Sequence, residues 1–222
     1  MQEIKKKKRA VALFVIVLIC LCGWWAVRKE GFFLDEIYSY GLANSSYVPF
    51  LSWLHGGEQV ANGKLPETVF TQSEFLNYVA PQGSTRFDYA SVYYNQTQDV
   101  HPPLFYFLLH TVCSLFPGSF TKWTGLGMNF VLLGGTLAAL YALGMELFED
   151  WKKALCVCEL YTFNREMISN VTMVRMYMLM TLLTILLALL VAKSLRRPSV
   201  PKYLLISVTI YLGMMTQYFF VV

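Results

Sequence analysis

Charge is what this sequence has least of. Only 14% of its residues are Asp, Glu, Lys or Arg, against roughly 25% in an average soluble domain. With 56% hydrophobic residues and a mean hydropathy of +0.46, too little polar surface is present for a water-soluble globule of this size. The chain also lacks any CxxC spacing. Its five cysteines are odd in number and all lie in apolar segments, which sets aside a zinc or disulfide framework and leaves them as small apolar filler. No basic face interleaved with exposed aromatics occurs, which excludes a nucleic-acid binder. No A-x-A-like site follows the first apolar run. The bulky Cys22-Gly23-Trp24-Trp25 argues for a retained signal-anchor helix with an interfacial tryptophan belt, rather than a cleaved signal peptide.

What is present is a series of apolar runs near the ~20 residues that cross a bilayer. A basic tail over 1–9 contains Lys5 to Arg9, and a first span over 10–27 follows. Residues 28–123 are a long polar segment, expected to hold short surface helices. Further spans are expected over 124–148, 154–170, 175–192 and 203–222. The apolar stretch Pro103 to Phe116 is stopped by Pro117-Gly118 and suits a surface helix. If it does not cross, then Lys5 to Arg9, Lys152-Lys153 and Lys193 to Lys202 all share the cytoplasmic side, as the positive-inside bias requires; if it crosses, Arg196-Arg197 falls outside. The expected architecture is thus an all-α polytopic membrane protein of about five spans with the 28–123 segment outside. The last run reaches Val222 without a polar tail, as expected of part of a longer protein.

Candidate chemistry gathers in the polar segment. Asp35-Glu36 follows the first span closely. A carboxylate held at a membrane surface can take a proton from an acceptor hydroxyl or amine, while an acidic pair in a first helical turn also complements the helix dipole. In Asp99-Val100-His101-Pro102-Pro103-Leu104 the prolines suit a helix entry. Asp99 and His101 would stand before exposed backbone N–H groups that favour a phosphate, or Asp99 would simply cap the helix. Lys122 at the entry of the second span, and Arg175 with Tyr177 at the entry of the fourth, suit contact with a lipid phosphate or snorkelling. Arg165 and Glu166 fall inside the third run, where charge is costly. Asn44-Ser45-Ser46, Asn95-Gln96-Thr97 and Asn170-Val171-Thr172 match a glycosylation pattern too short to carry weight.

In this order, these motifs resemble the GT-C superfamily of membrane glycosyltransferases, nearest the protein O-mannosyltransferase and aminoarabinose-transferase type (glycosyltransferase family 39-like). The Asp35-Glu36 pair after the first span, the D-x-H-P-P-L run from Asp99 to Leu104, the basic Lys122 and Arg175-Met176-Tyr177 carry the likeness over essentially the whole chain. The resemblance implies a sugar donated by a polyprenyl phosphate to an acceptor (protein, lipid or glycan) with inversion. Asp35 would serve as base, and Glu36 would orient the acceptor or hold the loop. Lys122 and Arg175, with His101 nearby, would stabilise the departing lipid phosphate. No cofactor or divalent metal is required, and a bacterial plasma membrane with the site on its outer face is the implied setting. Some family members carry a carboxylate where this chain reads Val174-Arg175-Met176-Tyr177, which leaves Asp35 as the main base. A non-catalytic polytopic protein, such as a transporter or assembly partner, is the alternative; repeat symmetry and Gly/Pro-broken spans would favour a transporter. The side assignment predicts that a cysteine replacing Ser199 resists an impermeant thiol reagent in intact cells; labelling there reverses it.

Overall fold

The computed structural model describes residues 2–55 and 69–221, so residues 56–68 of the polar segment lie outside the described residues. Among the described residues every regular element is helical and no strand occurs. Three helices are long and apolar enough to cross a membrane: α1 (Gln2–Arg28), α6 (Lys122–Phe148) and α9 (Tyr177–Arg196). At 27 residues, α1 and α6 each extend about 40 Å, more than the ~30 Å hydrocarbon core. The chain is therefore a helical membrane protein. Between α1 and α6 lie α2 (Leu34–Asn44), α3 (Gln72–Val79), α4 (Tyr89–Thr97) and α5 (Leu104–Ser114); α7 (Trp151–Thr162), α8 (Arg165–Thr172) and α10 (Val200–Met214) complete the order.

The chain divides into two compact units. One comprises Met1–Gly31 and Asn129–Val222, the other Phe32–Met128. The first is the membrane-helix unit. Its core joins Cys22 of α1, Leu133 and Leu137 of α6, Cys158 of α7, Met167 and Val171 of α8 and Met178 of α9. Close helix approach has a visible cause at Gly144, where a Cβ would stand 2.8 Å from the Ala154 Cα. Polar contacts gather several helix ends at one pole. Glu3 of α1 meets Trp151 Nε1 at 3.2 Å and Lys152 Nζ at 3.7 Å. Arg196 of α9 meets Glu146 at 3.4 Å and Glu149 at 2.9 Å.

Two expected spans take another form. Residues 154–170 do not make one helix: α7 ends at Thr162, and the Asn164 side chain accepts from Glu166 N at 2.8 Å to start α8. An N-cap residue that prefers non-helical backbone interrupts the run. Arg165 and Glu166 consequently occupy the exposed first turn of α8 rather than the interior of one continuous helix. The 203–222 run begins as α10 at Val200, with a proline in its first turn, and ends at Met214 after 15 residues. A 3-10 turn over Tyr218–Val221 follows, with the Phe220 ring seated against Gly213, where no Cβ would fit. The basic tail, expected to precede the first span, is itself helical and part of α1.

The second unit is built around α2, which packs on α3, α4 and α5. Local sequence explains each start. Thr71 and Glu74 exchange a capping box at α3, with Thr71 N–H donating to Glu74 at 2.8 Å and Glu74 N–H to Thr71 at 3.3 Å. Asp88 accepts from Ser91 N at 3.2 Å to start α4. Pro102 and Pro103 precede α5, whose 11 residues extend about 16 Å, half a hydrocarbon core. The buried aromatics Tyr40, Tyr78, Phe105 and Tyr106 fill the centre.

Gly41 of α2 lies directly under the Tyr78 ring, and a Cβ there would overlap ring atoms. Gly41→Ala is expected to destabilise this unit by about 1–3 kcal/mol. Gly127→Ala, which meets nothing within 4 Å, is the neutral comparison. Thermal unfolding of the detergent-solubilised variants measures the difference.

Candidate functional site

Asp35 and Glu36 occupy the first turn of α2 but have separate fates. Glu36 is fully buried, 0% exposed, and its Oε2 accepts from Phe33 N–H at 2.9 Å. Phe33 supplies no side-chain acceptor, so only the carboxylate arm of a capping box is present. Asp35 is exposed. One carboxylate of the pair therefore fastens the helix entry and the other faces outward.

The same helix is latched to the start of α6. The Tyr40 hydroxyl donates to Thr121 O at 3.1 Å, lies 3.2 Å from Thr124 Oγ1 and accepts from Gly125 N–H at 3.0 Å. Gly125 lies in the first turn, where N–H groups lack intrahelical partners. Burial raises the Tyr40 phenol well above its ordinary range, so it remains a neutral donor. Phe120 stacks on Phe32 at 4.6 Å between centroids and meets Tyr40 edge-on at 5.1 Å. Lys122, the first residue of α6, sits within this latched turn with Nζ 5.2 Å from the Trp123 ring centroid. The carboxylate pair and Lys122 are thus tied to one framework.

Asp99 does not cap α5. The N-cap position is Pro103, with no side-chain bond, and the Asp99 carboxylate is 2.8 Å from His101 Nδ1. Burial raises the Asp99 pKa, but the hydrogen bond from His101, that from Val100 N–H and the nearby His101 outweigh it, and the net displacement is downward. An ionised Asp99 facing Nδ1 makes that nitrogen the donor and fixes the ring orientation. Burial holds the Tyr78 phenol, which packs on α2, well above its ordinary range.

Arg175 and Tyr177 belong to the membrane-helix unit. Arg175 lies two residues before the start of α9 and is buried, 7% exposed, rather than extended as a snorkelling anchor; Tyr177 is the exposed first residue of α9. Asn129 of α6 shapes this entry. Its Nδ2 donates to the carbonyls of Asn170, Val171 and Met173 at 3.4, 3.1 and 2.8 Å, closing the end of α8 two residues before Arg175.

Sequence reading missed a buried polar chain in the second unit. Asn44 Nδ2 donates to Val79 O at 2.9 Å, which turns its Oδ1 toward His110 Nδ1 at 3.2 Å. His110 Nε2 lies 3.3 Å from Ser114 Oγ, which accepts from Phe87 N–H at 3.0 Å. The consistent assignment is a neutral imidazole protonated at Nδ1, accepting the Ser114 O–H at Nε2. Asn95 is likewise consumed, with Nδ2 donating to Leu42 O at 3.2 Å and Ser45 O at 2.9 Å. Two of the three glycosylation-like asparagines are therefore buried structural donors in the folded chain. Only the motif Leu104 to Ser114, polar at His110 and Ser114 four residues apart within an apolar helix, carried a signal of this.

The five cysteines are free thiols, three of them buried, and burial pushes the Cys113 thiol up to about 11. Among the described residues no group of His, Cys, Asp and Glu is arranged to hold a metal ion. No family model, curated protein or solved structure matches this chain.

Burial depresses the His110 pKa below its ordinary 6.5, against the raising effects of the Ala43 carbonyl and the Asp88 charge. Because the folded value is the lower one, the unfolded chain binds the proton first as pH falls. The contribution is complete above pH 6.5 and is lost as pH drops from there through the lowered folded value. Unfolding midpoints measured between pH 8 and 5 (about the window set by these values) are expected to fall for the native protein. The slope is expected to flatten in His110→Gln, which starts from a lower midpoint.

Proposed function

We propose that this chain is a membrane glycosyltransferase that moves a sugar from a polyprenyl phosphate to an acceptor at the membrane surface, with Asp35 as general base. The observation that supports it most is the division of labour within Asp35-Glu36: Glu36 is wholly buried and fastens Phe33, while Asp35 is exposed. An exposed carboxylate on a rigid turn can reach a reactant; a buried one that secures the turn keeps it in place.

In this reading Asp35 takes the proton from an acceptor O–H or N–H as the acceptor atom forms a bond to the anomeric carbon. The bond from that carbon to the phosphate oxygen breaks on the opposite face, so configuration inverts and the lipid phosphate leaves with the electron pair. Lys122, set in the turn that Tyr40 latches, and Arg175, beside the exposed Tyr177, would offset the developing phosphate charge. The Asp99–His101 pair stands ahead of α5, where backbone N–H groups at a helix start favour an anion. No metal enters this scheme. The five-span arrangement belongs to the same proposal: it requires the α7–α8 pair and α10 to cross in addition to the three long helices.

Asp35→Asn removes the base with little change of shape and is expected to lower transfer by about 10²–10⁴-fold. Tyr40→Phe keeps the ring packing but frees the Lys122 turn, and is expected to raise the KM for the lipid donor more than it lowers kcat. Both are read in native membranes supplied with polyprenyl-phosphate sugars. Near-normal turnover by Asp35→Asn would overturn the assignment.

A further inference from the structure

The membrane-helix unit gathers basic residues from separate parts of the chain at one pole. Glu3 joins the first turn of α1 to Trp151 and Lys152 of α7 at 3.2 and 3.7 Å, and Arg196 joins the end of α9 to Glu146 and Glu149 at 3.4 and 2.9 Å. Lys202 of α10 donates to the carbonyls of Lys193 and Arg197. These contacts place the start of α1, the α6–α7 connection and the α9–α10 connection together from geometry, without appeal to any charge bias.

The acidic groups of that pole are occupied. Glu3, Glu146 and Glu149 are in the pairs just named, and Asp150 accepts from Lys152 N at 2.8 Å to start α7. Lys7 lies over the Tyr141 ring, 5.5 Å from its centroid. What remains at the surface is cationic: Lys5, Lys6, Lys8 and Arg9 of α1, Lys153 of α7 and Arg197 after α9 are all exposed.

Their depth follows from helix geometry. The apolar part of α1, residues 10–27, extends about 27 Å, close to the hydrocarbon thickness. Lys5 to Arg9 continue the same helix and so rise within about 8 Å of that boundary, at the level of lipid headgroups. Rigid continuation matters, because a disordered tail would spread the charge away from the surface.

We propose that this pole is a binding surface for anionic phospholipid headgroups, which recruits a shell of phosphate-bearing lipids around the ends of α1, α7 and α9. It is independent of the transfer reaction. The lipid phosphates supply the counter-charge that the few acidic side chains, already engaged, do not. Each basic residue at a membrane surface strengthens attraction by about fivefold at moderate salt, and the effect fades within a Debye length.

The full chain reconstituted in nanodiscs of mixed phosphatidylcholine and phosphatidylglycerol, then released in mild detergent, tests this by quantifying co-purified lipid. Phosphatidylglycerol is expected to be enriched over the bulk mixture, and the enrichment to fall as salt rises. The double variant Lys153→Gln/Arg197→Gln, which leaves α1 and its insertion signal intact, is expected to reduce the enrichment by about fivefold or more. Lys5→Gln/Lys6→Gln/Lys8→Gln/Arg9→Gln is expected to reduce it further where the protein inserts. Bound lipid of bulk composition in the native protein, or enrichment unchanged in the double variant, overturns the proposal. So does full displacement by millimolar inorganic phosphate, which would identify a free-anion site instead.

Discussion

Backbone carbonyls released at the ends of short helices, and closed by buried side-chain donors, are what the structure depends on. A helix leaves its last carbonyls without intrahelical partners, and an unsatisfied buried polar group costs about 1–3 kcal/mol within a total stability of roughly 5–15 kcal/mol. With so few charged side chains, this protein answers with neutral donors. Asn95 closes α2 at Leu42 and Ser45, Asn44 closes α3 at Val79, and Asn129 closes α8 at Val171 and Met173. The Tyr40 hydroxyl does the corresponding work at the entry of α6, serving both a carbonyl and an N–H.

That device explains how a polar segment of short helices holds a defined shape. The α2 helix is the hub: one side receives Tyr78 at Gly41, another carries Asn44 toward His110, and Tyr40 reaches α6. Asp35 rides on the same helix, so contacts made one and two turns further along help to set its position. The division between Asp35 and Glu36 has the same origin. Adjacent helical residues point apart, and at the first turn of α2 packing covers Glu36 while Asp35 stays exposed.

Spacing in the chain carried some of this. Hydropathy located α6 and α9 to within a few residues and the apolar part of α1, whose helix also takes in the basic tail, because span length is a property of a continuous segment. The double proline marked the start of α5 for an equally local reason. Over 154–170 the apolar content conceals Asn164, whose capping preference divides the stretch into α7 and α8. The helix of the final run ends at Met214, and Phe220 returns onto Gly213, a contact outside the local pattern.

Taken alone, the sequence determined the solvent class of the protein, its helical character, the places where charge is absent long enough to cross a bilayer, and a short set of side chains with suitable chemistry. These follow from composition and from neighbours within a helical turn or a span length. Tertiary structure decided which of those side chains are available. It buried Glu36 and exposed Asp35, and it paired Asp99 with His101 instead of with the helix it precedes. It also turned two glycosylation-like asparagines into structural donors and made a neutral histidine the centre of a buried chain. The physical reason is distance along the chain. Asn44 meets His110 across 66 positions and Tyr40 meets Gly125 across 85, and burial and hydrogen-bond partnership at such separations are set by packing, on which a local pattern is silent.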